Sequence, residues 1–356
     1  MLEQEVYGRL LDVVAIVSVP IKIFVMVFVV RYSAAEMRSF SMLLFNGLLW
    51  NFMANSIYAF LQLIPMFPLE CFRANGLISF FTSEETTCHI LNCILISCFV
   101  NLVLALSFSF PYRYMVFAHT TTVAKIKRKW VVALSIGVHG AMISIFVYLY
   151  FSWVEPTPSH MVDDDGPVIC FKMNGPEKLN IFIFSLGIVL IALVIGLGST
   201  VLLLFSIYRL SASFDIDYLQ RHTRILWTLM WITSIPVFLG GIPSSISSIM
   251  IAKPDISYAQ SICLVCFVIM ANHGTVYSIA LIVAIQPYRV AMKQLFVTVF
   301  RWNITNDITV VKIPKQIATL SKERRSEVHR HKHVNGTSAA GAFRNPAAPS
   351  ISQLTI

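Results

Sequence analysis

Few residues in the long apolar runs of this chain can do chemistry, and which ones they are narrows its function. The clear cases of ionisable side chains well inside them are Asp12, Lys22, His139 and His273. Moving protons or ions through an apolar medium takes several such groups on facing helices, and hydrolysis there takes paired carboxylates or a bound metal. Neither set is present. The sequence holds no glycine-rich phosphate loop, no His-Glu-x-x-His and no Ser/His/Asp grouping. An enzyme and a metal centre are therefore not expected. His329-Arg-His-Lys-His333, the most metal-like tract, is explained equally well as part of a solvated basic tail. Lys22 is expected to run its stem along the helix and hold its ammonium at the interface.

The elements that position these residues follow from composition. Of 356 residues, 56% are hydrophobic and 13% charged, whereas soluble domains carry about a quarter charged residues. Apolar runs long enough to cross a bilayer lie at 10–30, 41–64, 88–110, 130–151, 179–207, 225–251 and 259–286. Barrel strands would be about half as long and would alternate in polarity, so these runs are helices. The predicted fold class is an all-α membrane protein, a bundle of seven transmembrane helices. The acidic start, Met1-Leu-Glu-Gln-Glu5, does not read as a cleavable signal, so the first span is expected to act as an uncleaved anchor.

Charge sets the orientation. Of 27 Lys and Arg, 21 fall in the loops 31–38, 113–129 and 209–224 and in the tail from Arg289. Five fall on the opposite side, with the amino terminus. The basic side is cytoplasmic, giving N-out and C-in. This distribution also excludes nucleic acid as the partner for the net charge of +9, because no soluble basic face exists to bind it. The partner it does imply is the lipid bilayer. After the last span, 287–302 reads as a short amphipathic helix: Met292, Leu295, Phe296 and Val299 keep helical spacing, and Arg289, Lys293 and Arg301 supply cations. The expected division is a seven-transmembrane domain that includes this helix over 1–302 and a disordered cytoplasmic tail over 303–356.

Three features could carry a signal. Cys88 heads span three, and Cys170 lies in the loop Ser152–Lys178, on the oxidising side. A Cys88–Cys170 disulfide would hold that loop over the bundle as a lid, with Cys71 as the competing partner. Spans three and seven both end in Pro-Tyr-Arg, as Pro111-Tyr112-Arg113-Tyr114 and Pro287-Tyr288-Arg289. These are either helix stops with aromatic and cationic anchors or the lining of a cytoplasmic cleft that opens on activation. Span six carries Pro236 and Pro243 around Gly240-Gly241, either a static kink or a hinge linking an outer site to an inner end.

Together these features resemble a G-protein-coupled receptor. Pro20, Met37 and Leu43-Leu-Phe-Asn46 resemble the opening of the nematode serpentine chemoreceptors of the Str superfamily, and Tyr112-Arg113-Tyr114 fits them too. His273-Gly274 leading to Pro287-Tyr288-Arg289 is most similar to the Srh and Sri branches, as are Ile235-Pro236 and Ile242-Pro243. The resemblance implies a receptor for an odorant or other small molecule. It would sit in the plasma membrane of sensory-neuron cilia, signal through a heterotrimeric G protein and need no cofactor. In the broad receptor class an acidic residue precedes the arginine below span three; here Tyr112 takes that place.

On this reading the ligand meets Asn92 and Ser97 on span three, Ser244 and Ser247 on span six, and His273 on span seven; small polar residues also glue membrane helices together. The activation and G-protein residues are Tyr112, Arg113, Tyr114, Pro287, Tyr288 and Arg289. A second receptor copy is a further candidate partner. Two other classes compete: a ligand-gated channel or transporter, disfavoured by the lack of inverted repeats and of a charged pathway, and a receptor-like trafficking partner. The topology is testable, because Asn303-Ile-Thr305 and Asn335-Gly-Thr337 are acceptor patterns in the tail. In eukaryotic cells neither should yield a glycosidase-sensitive mobility shift, while a sequon engineered near residue 160 should. A shift from the native sites would place the tail outside and favour an inverted channel.

Overall fold

The structure is a computed structural model that describes residues 2–33, 38–82, 84–119, 123, 125, 128–158, 166–173, 175–210 and 216–305. Its helices are α1 (Leu2–Tyr32), α2 (Arg38–Leu61), α3 (Glu85–Ala118), α4 (Arg128–Trp153), α5 (Pro176–Leu210), α6 (Ile216–Pro236), α7 (Ile242–Ala252), α8 (Ala259–Ala284) and α9 (Gln286–Thr305). Span six is α6 and α7 joined by one π-helical stretch, Val237–Gly241, and span seven is α8. The chain divides after Val290 into two compact units, residues 1–290 and 291–356.

Among the described residues, six helices are long and apolar enough to cross a membrane; α2 is not one of them. At 24 residues it is about 36 Å long, so length is not the obstacle. Its apolar run is interrupted by Asn46, Asn51, Asn55 and Ser56. α2 can carry these groups because it packs along α1, α3 and α8, and helix neighbours satisfy them: Asn55 Nδ2 donates to the Ala271 carbonyl at 2.7 Å. α3 is enclosed in the same way. Its most apolar stretch is 56% buried, against 11% for those of α4 and α5, so α3 forms the axis and α4 and α5 turn most of their apolar surface outward, to lipid.

Pro111 does not end the third span. Expected to stop at 110, α3 runs on to Ala118 with Pro111 inside it. A proline costs its helix one hydrogen bond, which neighbouring helices make tolerable in a membrane; Tyr114, one turn beyond, packs on Leu203 and Ile207 of α5. Pro287 behaves as predicted. α8 ends at Ala284, capped by Ile285, whose backbone is extended (φ −85°, ψ 113°), and α9 starts at once with Pro287 in its first turn.

The all-helical expectation omits a small sheet. The segments Leu63–Pro65 (β1), Cys71–Ala74 (β2), Val154–Glu155 (β3) and Val168–Phe171 (β4) form four antiparallel strands in the order β1-β2-β4-β3. It joins the loop after α2 to the loop after α4. Strands of two to four residues leave no readable alternation, which is why the sequence hid them.

This register corrects the disulfide. Cys71 lies directly opposite Cys170 across β2 and β4, with Cα atoms 4.1 Å apart, and the bond is Cys71–Cys170. Cys88, the expected partner, is a buried free thiol in the main apolar cluster. Glu70, next to Cys71, pairs with Lys178 at the start of α5. Burial pushes the Glu70 carboxyl above the usual carboxylate range, against the pull of that ammonium. With Cys71→Ser, Cys170 should become reactive to a thiol reagent that cannot cross membranes, whereas Cys88→Ser should leave both sheet cysteines unreactive. Labelling of Cys170 in the Cys88 variant would restore the first pairing.

Candidate functional site

The predicted ligand residues fall into four places. Asn92 lies under the sheet, where its Nδ2 donates to the Tyr150 hydroxyl at 3.0 Å. That hydroxyl donates in turn to His89 Nδ1 at 3.2 Å, leaving His89 Nε2 facing Glu85 at 3.5 Å. Phe171 of β4 meets the His89 and Tyr150 rings edge-on, and Trp153 stacks on it at 4.3 Å. The roof of the bundle and the upper half of α3 thus form one aromatic cluster, and Asn92 is committed to it.

Ser97 is buried further along α3, and its carbonyl accepts Asn101 Nδ2 at 2.8 Å. Asn101 Oδ1 accepts from His139 Nδ1 of α4, and the His139 ring stacks on Trp50. Ser244 and Ser247 stay within α7: the Ser247 hydroxyl donates to the carbonyls of Pro243 and Ser244, and its own carbonyl faces the Cys263 thiol of α8 at 3.7 Å. Among the described residues, no hydrogen bond joins these serines to α3.

His273 belongs to a fourth place, the contact of α2 with α8. Asn51 Nδ2 donates to His273 Nε2 at 2.9 Å, which makes Nδ1 the protonated ring nitrogen, and Nδ1 donates to the Met270 carbonyl. The following residue has to be glycine. A Cβ on Gly274 would stand 1.7 Å from Asn51 Oδ1. A Cβ on Gly240, in the π-helical stretch, would reach the His273 ring at 3.5 Å. The His273-Gly274 pair therefore sets how closely α2, α8 and span six approach.

Pro236 and Pro243 bracket the π-helical stretch. Each lacks an N–H, so the carbonyls four residues earlier lose their helical donor, and the chain widens its turn between them. An apolar groove of about 370 Å³ lies beside this stretch, bordered by Trp231, Phe238, Ala280 and Ala284.

At the opposite end of the bundle from the sheet, the two Pro-Tyr-Arg elements differ. Tyr288 is 1% exposed, and its hydroxyl bonds Ser33 at 3.0 Å and Ser41 at 2.9 Å. It clamps the end of α1 and the start of α2 to the junction after α8, with Phe28 edge-on to its ring. Pro287 and Arg289 beside it are exposed. Tyr112, Arg113 and Tyr114 are half-buried on the extended α3.

Lys22 corrects an expectation. It does not snorkel to the interface: it is 1% exposed and turned into the bundle. Sequence reading also missed Asn51 and Asn101, although an amide inside an apolar run is a visible signal. It missed the buried role of Tyr288, because helix faces of the junction are not legible from spacing.

The family model described as "Serpentine type 7TM GPCR chemoreceptor Srh" matches residues 3–298. The crystal structure of squid rhodopsin shares the fold, with a TM-score of 0.59 over 95% of this chain and 94% of that one, at 12% identity. Among curated proteins, none matches the sequence. The α2–α8 contact gives a direct test: Gly274→Ala should destabilise by about 1–3 kcal/mol through overpacking and deplete surface protein. Gly137→Ala, where a Cβ meets nothing within 4 Å, should be neutral, and equal surface levels for the two variants would contradict the packing.

Proposed function

This chain belongs to the Srh family of serpentine seven-transmembrane chemoreceptors, and from that premise we propose that it binds a small odorant-like molecule in the outer half of its bundle and signals through a heterotrimeric G protein. The family match over residues 3–298 carries this reading, and the rhodopsin-like bundle agrees with it. The basic loops face the cytoplasm, the disulfide-held sheet faces outward, and the receptor sits in the plasma membrane of sensory-neuron cilia.

The working parts divide along the bundle axis. The outer end is roofed by β1–β4, with Asn92, Tyr150 and His89 just beneath. The π-helical stretch of span six touches His273 at mid-depth, and Pro236 and Pro243 allow the inner half of that span to swing on it. At the inner end, half-buried Arg113 and exposed Arg289 offer cations to the G protein, while Tyr288 holds α1 and α2 to the α8–α9 junction. A swing of α6 would uncover the α3 end without breaking that clamp.

Arg113→Ala should abolish ligand-evoked G-protein activation while surface expression persists. Activation at the wild-type level from that variant would remove Arg113 from the mechanism.

A further inference from the structure

Lys22 Nζ has no hydrogen-bond partner among the described residues, and the side chain is 1% exposed. It lies beyond the midpoint of α1, a helix packed on both α2 and α8. Asn51 of α2 and His273 of α8 are themselves joined by a hydrogen bond. Lys22 thus brings a buried cation to a helix that packs on both. Carboxylates that could neutralise it are engaged elsewhere: Asp12 accepts from Gln62 at 2.5 Å, Glu85 accepts from the Thr157 amide, and Glu70 pairs with Lys178. α2, α7 and α8 contain no Asp or Glu at all.

The other unpartnered polar atoms on α2, α4 and α8 are mostly of one kind. Tyr277, one turn along α8 from His273 and 1% exposed, has a hydroxyl without a partner among the described residues; so do Thr275 and the Trp50 indole nitrogen beside Asn51. With Lys22 these make four groups able to donate, two of which can only donate. Against them stand two acceptors, Asn51 Oδ1 and His139 Nε2. An interior with a positive charge and surplus donors is complementary to an anion, and an ionisable group at bilayer depth usually marks a substrate or ligand path.

We propose that Lys22 anchors a carboxylate inside the bundle, so that the molecule sensed is a small organic acid. This rests on the receptor reading above and adds the class of ligand, whose carboxylate end reaches from the outer half to just past the middle of α1. A weak acid crosses an apolar region as the neutral molecule. Beside the Lys22 ammonium its O–H bond breaks, the proton returns to the aqueous phase, and the ammonium–carboxylate pair left behind carries no net charge in the interior. An inorganic anion offers the same charge but meets the full cost of desolvation on the way in.

The test uses the full chain in lipid nanodiscs, its thermal midpoint followed while straight-chain acids from acetate to decanoate are added, each beside its primary amide, with sodium chloride as a separate arm. At least one acid should raise the midpoint saturably where its amide does not. K22M should weaken that apparent affinity by about tenfold or more, the scale of one lost charge-assisted hydrogen bond, and K22R should retain most of it. Equal responses to acid and amide, no response to any acid, or wild-type titration by K22M would each overturn the proposal. Chloride reproducing the whole shift would overturn the carboxylate assignment in favour of an inorganic ion. The acid-against-amide comparison decides the matter on the unaltered chain even where K22M fails to fold. No G protein enters the measurement, so its failure is separable from failure of the signalling test at Arg113.

Discussion

The approach of α2 to α8 at Gly274 is the constraint around which the bundle is arranged. With no Cβ on Gly274, the Asn51 amide sits against the α8 backbone and bonds the ring of His273. One turn along α2, Asn55 reaches the Ala271 carbonyl. In lipid, apolar side chains gain nothing by leaving one apolar surface for another, so helices associate through close packing and interhelical hydrogen bonds. Both are concentrated here. α2 can then be the least apolar of the spans, because its amides are used between helices.

The same contact sets what span six can do. His273 presents its ring to Gly240, where a Cβ would meet it in van der Waals contact at 3.5 Å. The widened turn between Pro236 and Pro243 therefore rests on a rigid, hydrogen-bonded imidazole. A pivot needs a fixed bearing as well as a flexible segment. Here the flexible segment comes from missing backbone donors in span six, and the bearing from α2 and α8.

How much of this was legible depended on the range of the interaction involved. Span positions, the break before α9 and the proline-flanked irregularity in span six are local properties of composition and backbone chemistry, and the sequence displayed them. The Cys71–Cys170 bond was not legible, because it depends on strand register between two loops, and those strands are too short to show a period. The burial of Lys22 was missed for a related reason. A lysine stem can reach the interface or turn inward, and which it does depends on the neighbouring helices. Pro111 misled because helix termination by proline is weaker in a membrane bundle than in water. Of the candidate site residues, position along the bundle was readable, but partners such as Tyr150 for Asn92 were not.

The disulfide has a further consequence during synthesis. Cys71 and Cys170 are 99 residues apart, and the chain between them crosses the bilayer twice, through α3 and α4. Only an even number of crossings returns the second thiol to the compartment of the first. If either helix failed to insert, the two cysteines would lie on opposite sides of a hydrocarbon layer about 30 Å thick, far beyond the roughly 7 Å limit for bridging their Cα atoms. The bond therefore serves as a covalent proofreading mark, barred on chains in which only one helix of the central hairpin was threaded and open to those in which both were.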